Sequence, residues 1–116
     1  MAKINFLDAI TYYLSWRIRL RGFLEDKYDI SEAEIGSHKD CDFGKWLYVE
    51  GLTEYGTMRE IVELEDIHKQ LHETALRIVR LGNQGNGSAV EQALITFETL
   101  SLKMISLLAT LQQTIG

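Results

Sequence analysis

Not one of the 116 residues is proline. Proline is the strongest helix breaker, because its ring fixes φ and removes a hydrogen-bond donor. A chain without it is free to run in long uninterrupted helices, and the apolar residues here follow helical spacing. Residues 4–27 place Phe6, Ile10, Tyr13, Leu14, Leu20 and Leu24 on one helical face. Residues 57–81 do the same with Ile61, Leu64, His68, Leu71, His72, Ala75 and Ile78, and residues 88–115 with Val90, Ala93, Leu94, Phe97, Leu100, Met104, Ile105, Leu108, Leu111 and Ile115. β-Branched residues are scattered and do not alternate in runs, so strands are hard to place.

Three capping boxes, Ser31…Glu34, Thr57…Glu60 and Ser88…Glu91, predict helix starts. The run Gly82-Asn83-Gln84-Gly85-Asn86-Gly87 predicts a break between the last two helices. The expected map is a helix over 4–27, short helices near 31–36 and 43–49, and long helices over 57–81 and 88–115. Region 29–56, with Gly36, Gly44, Gly51 and Gly56, is the irregular part. Helices of about 36–42 Å stack most economically side by side. The expected fold is therefore all-α, an antiparallel four-helix bundle with short helices in the 29–56 connection. The whole of 1–116 is read as a single domain, a length that supports one core.

Composition narrows the function. A net charge of −5 argues against a nucleic-acid partner, which needs a basic surface. The basic residues are enriched at the start, where Arg17, Arg19 and Arg21 read as solvated helix surface. No unbroken apolar run reaches the roughly 18–20 residues that span a bilayer. Met1-Ala2-Lys3-Ile4-Asn5 does not look like a signal peptide. The expectation is a cytoplasmic protein without membrane association. The lone cysteine, Cys41, is then a buried apolar side chain, a reactive thiol or a metal ligand.

Two features point to the last of these. His68-x-x-x-His72 sets two imidazoles one turn apart on the apolar stripe, where both can reach one ion. An isolated pair of this kind is more often hydrogen-bonded at the core boundary. The metalloprotease pattern fails, because Lys69 stands where its glutamate is needed. Cys41-Asp42-Phe43-Gly44-Lys45-Trp46 places the thiol at the start of a short helix, with Phe43 and Trp46 able to anchor the turn. A thiolate is a soft ligand that suits zinc.

Taken with Tyr12-Tyr13-Leu14-Ser15-Trp16, these segments resemble the chemoreceptor zinc-binding domain family. That family carries His-x-x-aromatic on its first long helix, then Cys-x-apolar-Gly-x-aromatic, then His-x-x-x-His. Here 24 residues separate Trp16 from Cys41 and 21 separate Trp46 from His68. The resemblance implies a four-helix bundle holding one zinc through three histidines and a cysteine. It also implies regulation of a signalling partner of the chemoreceptor or diguanylate cyclase type, in cis or in trans. The chain's own Met1 leans the expectation toward a partner in trans.

One position departs from the pattern. Tyr13 stands where the first histidine is expected. Tyr13 can be the fourth ligand, or hydrogen-bond to a water in the fourth position; alternatively His38 supplies the ligand, or no zinc is held and the site is a packed polar core or holds a different metal, a metal-free Cys41 then being able to serve as a redox-sensitive thiol. Glu65, one turn before His68, is the only evident acid or base for an open catalytic zinc site.

The leading expectation is a non-enzymatic sensory domain with zinc as cofactor and Cys41, His68, His72 and Tyr13 as site residues. In it, metal occupancy or Cys41 oxidation changes how the first helix packs against the His68/His72 helix. The alternative is a structural homodimerisation module without functional metal, suggested by Leu100, Leu102, Ile105, Leu107 and Leu108 covering more than one face. A zinc hydrolase ranks third.

Overall fold

A computed structural model describes residues 5–25, 29–37 and 41–115. All regular structure among them is helical. α1 is Phe6–Leu24, α2 Glu32–Ile35, α3 Asp42–Trp46, α4 Leu52–Tyr55, α5 Arg59–Asn83 and α6 Gly87–Ile115. A π-helical turn, Leu47–Gly51, joins α3 to α4, so the three pieces run as one nearly continuous helical segment.

α6 is the spine. Its 29 residues at 1.5 Å each give about 43 Å, which matches the long dimension of the molecule, 43 × 23 × 20 Å. It packs antiparallel against α5, to which a tight turn connects it, and antiparallel against α1. The direction of α1 follows from its contacts. Tyr13 and Trp16 line one cleft with Phe97, while Phe23 lines another with Val90 near the start of α6. The α3–α4 segment closes the fourth side: Phe43 meets Tyr13 and His68, and Trp46 meets Phe6 edge-on at 5.5 Å. The expected antiparallel helical bundle is what forms.

The core follows the sequence periodicity. Phe6, Tyr13, Trp16 and Leu20 of α1 are buried, as are Ile61, Leu64, Leu71, Ala75 and Ile78 of α5 and Val90, Leu94, Phe97, Met104, Leu108 and Leu111 of α6. Leu14, predicted on the inner face of the first helix, is instead 40% exposed. It lies about 100° around the helix from Tyr13, and Tyr13 takes the core position.

The helix starts obey local chemistry only partly as expected. Ser31 caps α2, its hydroxyl accepting from the Glu34 amide at 3.3 Å. Thr57 caps nothing: α5 begins after Met58, with no side-chain cap. Before α6 the cap is Asn86, whose side-chain oxygen accepts from the Ala89 amide at 3.3 Å, so Ser88 already lies inside the helix. Asn86 sits one residue beyond Gly85, whose φ of 74° turns the chain out of α5, and this sets the start of α6 two residues earlier than Ser88 alone implies.

The glycines of the 29–56 region divide into two kinds. Gly36, with φ 62°, ends α2. Gly44 and Gly51 lie within helix, which is why the segment runs to Tyr55 and does not stop near residue 49. At Gly51 a Cβ would meet the Trp46 ring at 2.9 Å, so the glycine lets the π turn fold over that indole.

The arginines of α1 are not merely solvated. Arg17 lies 3.6 Å from Glu98 of α6, and Arg21 also pairs with Glu98. Arg19 pairs with Glu34 at 2.9 Å and covers the Trp16 ring at 4.4 Å. α6 is also long and apolar enough to cross a membrane, with mean hydropathy 1.5 over its best 18-residue window. Serines, threonines and single charges interrupt that window, so a search for an unbroken apolar run does not find it.

Candidate metal centre

The apolar stripe of α5 carries His68 and His72 inward with its leucines. His68 is fully buried, and His72 is 9% exposed. Their rings meet edge-on with centroids 4.8 Å apart, as residues one turn apart on one face must.

Cys41 arrives from the other side as the N-cap of α3. Its extended backbone, φ −71° and ψ 159°, turns the thiol back over the first turn, where Sγ accepts from the Gly44 amide at 3.3 Å. Phe43 and Trp46 hold that turn. Phe43 is buried with its ring 5.2 Å from that of His68 and 5.8 Å from that of Trp46. Sγ consequently lies 3.3 Å from His68 Nε2. Burial pushes the Cys41 thiol above its ordinary pKa, and the Gly44 amide works against that shift by favouring the thiolate.

The ligand atoms of Cys41, His68 and His72 all lie within 4.8 Å of one another. Around a tetrahedral zinc, with bonds of about 2.0–2.3 Å, such atoms are roughly 3.3–3.6 Å apart. The sulfur–imidazole distance already meets this, and a side-chain movement of roughly 1 Å brings in the third donor. One further contact favours a metal. His72 Nδ1 donates to the Gly36 carbonyl at 3.3 Å, which fixes the tautomer and leaves Nε2 with its lone pair. Metal-bound histidines are characteristically oriented in this way. One thiolate and two imidazoles are zinc-type donors, and these residues fit that ion.

Tyr13 also reaches the site. It is 3% exposed, and its ring lies edge-on to those of His68 at 6.1 Å and Phe43 at 6.3 Å. Its hydroxyl stands beside Cys41, but neither the sulfur nor any other described group offers it a hydrogen bond of good geometry. Burial first, and the neighbouring thiolate second, push the phenol far above its usual pKa. Without a cation Tyr13 is therefore neutral. A buried hydroxyl lacking a partner costs about 1–3 kcal/mol.

The other sequence candidates fall away from the cluster. Glu65 is half-buried and engages the Tyr48 hydroxyl on the π turn; partial burial of the phenol first, and the Glu65 charge second, raise the Tyr48 pKa. It is not among the residues whose ligand atoms converge. His38 lies outside the described residues. Two features of the site were not legible in the sequence. The Gly36 carbonyl is a backbone group that carries no residue-type signal. The second is a cleft of about 490 Å³ that opens beside Cys41, between the start of α1 and the start of α3.

The chemoreceptor zinc-binding domain family matches residues 14–79, a span that contains Cys41, His68 and His72, starts one residue after Tyr13 and ends before α6. No curated protein and no solved structure matches the chain. With more than half of its length matched, and with the family's cysteine and histidine pair brought together in space, the chain belongs to the chemoreceptor zinc-binding domain family.

Proposed function

We propose that this chain is a non-enzymatic, cytoplasmic zinc sensor that couples metal occupancy, or the redox state of Cys41, to a signalling partner of the chemoreceptor or diguanylate cyclase type. The observation that carries this reading is the convergence of Cys41, His68 and His72 from α3 and α5. A zinc bound there ties α3 to α5 directly, and α2 to α5 through the bond between His72 and the Gly36 carbonyl. Tyr13, beside the sulfur, gives α1 a stake in the same site. Losing the ion loosens the ties that hold the end of α2 and the start of α3 to α5, and changes the surroundings of α1. A peroxide-class oxidant acts in the same sense. It oxidises the Cys41 thiol to a sulfenic acid by two electrons, is itself reduced with release of water, and takes the thiolate donor from the metal. α6 packs against both α5 and α1, which supports its being a helix of the bundle and not a membrane span.

The test is metal analysis of protein purified under zinc-replete conditions. Wild type is expected to carry close to one zinc per chain, and Cys41→Ala and His68→Ala to lose most of it. Metal-free wild type, or full retention in both variants, overturns the reading. Hydrolysis is disfavoured because its one acid–base candidate, Glu65, is engaged with Tyr48.

A second reading, compatible with the first, is homodimerisation. Leu7, Leu14 and Ile18 on α1 and Ile95 and Leu102 on α6 are 40–70% exposed, and only 39% of the apolar window of α6 is buried. The two stripes flank the same groove between α1 and α6, where Leu14, Ile18 and Glu98 meet. Patches of this kind mark interaction sites. Light scattering is expected to give a dimer mass for wild type and a monomer mass for Ile18→Glu/Leu102→Glu. A monomeric wild type removes this second reading.

A further inference from the structure

Building on the zinc-binding reading, we propose that the site holds its metal with only three protein ligands, and that the fourth position is open to a small uncharged donor from solvent: water or an imidazole.

Three observations lead there. First, among the described residues the histidine, cysteine and carboxylate donors that converge number three, Cys41, His68 and His72, whereas closed structural zinc sites use four. Second, the group that lies where a fourth ligand is expected is the Tyr13 hydroxyl. It is buried, it faces the sulfur, and it lacks a hydrogen-bond partner of good geometry. A hydroxyl both donates and accepts, so it can bond to a ligand seated on the metal without itself contacting the metal. That arrangement satisfies the orphaned group. Third, Cys41 is half-buried and forms part of the wall of the 490 Å³ cleft, so a small molecule reaches the metal edge without opening the bundle.

The cleft also sets the class of ligand. Asp8 and Asp42 line it, together with the neutral Asn5 and Tyr12. Two carboxylates at the mouth repel small anions and favour the approach of the metal ion itself. They leave neutral donors unaffected. A site of this type responds to two inputs, the ion and the fourth ligand. In a site closed by a histidine at position 13 the second input is absent.

Cobalt(II) and imidazole test the proposal. Cobalt reports its donors through visible absorption, and a cobalt–thiolate charge-transfer band shows that Cys41 is bound. Saturable change of the visible spectrum of the wild-type cobalt protein on imidazole addition is expected. The same response is expected in Tyr13→Phe, because that side chain is not a ligand. Tyr13→His supplies the fourth donor, and its spectrum is expected to be insensitive to imidazole over the range that saturates wild type. An unresponsive wild type overturns the proposal. So does a tyrosinate ultraviolet band that appears on metal loading and is missing in Tyr13→Phe, since Tyr13 would then be the closing ligand. An imidazole response in Tyr13→His equal to that of wild type also overturns it. If no cobalt–thiolate band forms at all, the zinc-binding reading itself falls and takes this one with it; a band without an imidazole response overturns the open position alone.

Discussion

Cys41 must shed its proton before it can bind a metal, and the fold makes that harder. Burial raises the thiol above its ordinary pKa, so near neutrality it holds a proton that the metal has to displace. Each ion bound then releases that proton, and apparent affinity rises with pH, by about tenfold per unit between pH 6 and 8. Chelator competition across that range measures the slope, and a flat profile would mean that the thiol is not a ligand. Metal-free protein behaves oppositely. A raised thiol pKa contributes stability that is present below the unfolded value of about 8.5 and is lost as pH rises through the higher folded value. At this scale the sequence was informative where residue types are rare. One cysteine and a histidine pair at helical spacing left few ways to build a metal site. The state of Tyr13 was not legible, because it depends on burial and on a neighbour 28 positions away in the chain. The Gly36 carbonyl was not legible either, being a backbone group in no recognisable motif.

Helices were easier to read than their ends. The 3.6-residue period runs through α1, α5 and α6 and is enforced by burial, so it survives in the sequence. Caps rest on single hydrogen bonds that neighbouring residues compete to make. Ser88 has the right partner in Glu91, but Asn86 stands two residues earlier, just after the glycine that turns the chain, and takes the role. Thr57 likewise lies too early for α5. The expected outcome is that Asn86→Ala destabilises the protein by about 1 kcal/mol, the usual worth of an N-cap. Ser88→Ala is expected to leave stability unchanged or slightly raised, alanine being the better helix former within α6. Urea denaturation of the two variants separates them, and a reversed order would restore the Ser88 box. The short segments between α1 and α5 were the hardest to read. Gly44 and Gly51 resemble breaks in sequence, yet one donates its amide to the Cys41 sulfur and the other makes room for the Trp46 ring.

Across the whole molecule, the two long helices α1 and α5 zip along α6 with their own apolar stripes, and these contacts need no metal. The α2–α3 connection differs. α2 is four residues long, and exposed ion pairs from Glu32 to Arg80 and Glu34 to Arg19 tie it down. Pairs of this kind contribute at most about 1 kcal/mol each. Cys41 and Phe43 hold the start of α3 to the bundle at the metal site, and the Cys41–His68 contact closes a 27-residue interval. A metal that binds only the folded chain stabilises by mass action, about 4 kcal/mol when free zinc exceeds its Kd a thousandfold. For a domain of this size that corresponds to a rise in Tm on the order of 10–20 °C. Calorimetry with zinc and with excess chelator is expected to show this gap, and Cys41→Ala to abolish it. The change is not expected to be uniform. Hydrogen exchange should lose protection first at α2 and α3 on metal removal, while the centres of α5 and α6 stay protected, because their burial rests on each other. Equal loss along α6 would mean that the metal holds the whole bundle together, and that the sensor works by unfolding and not by releasing one connection.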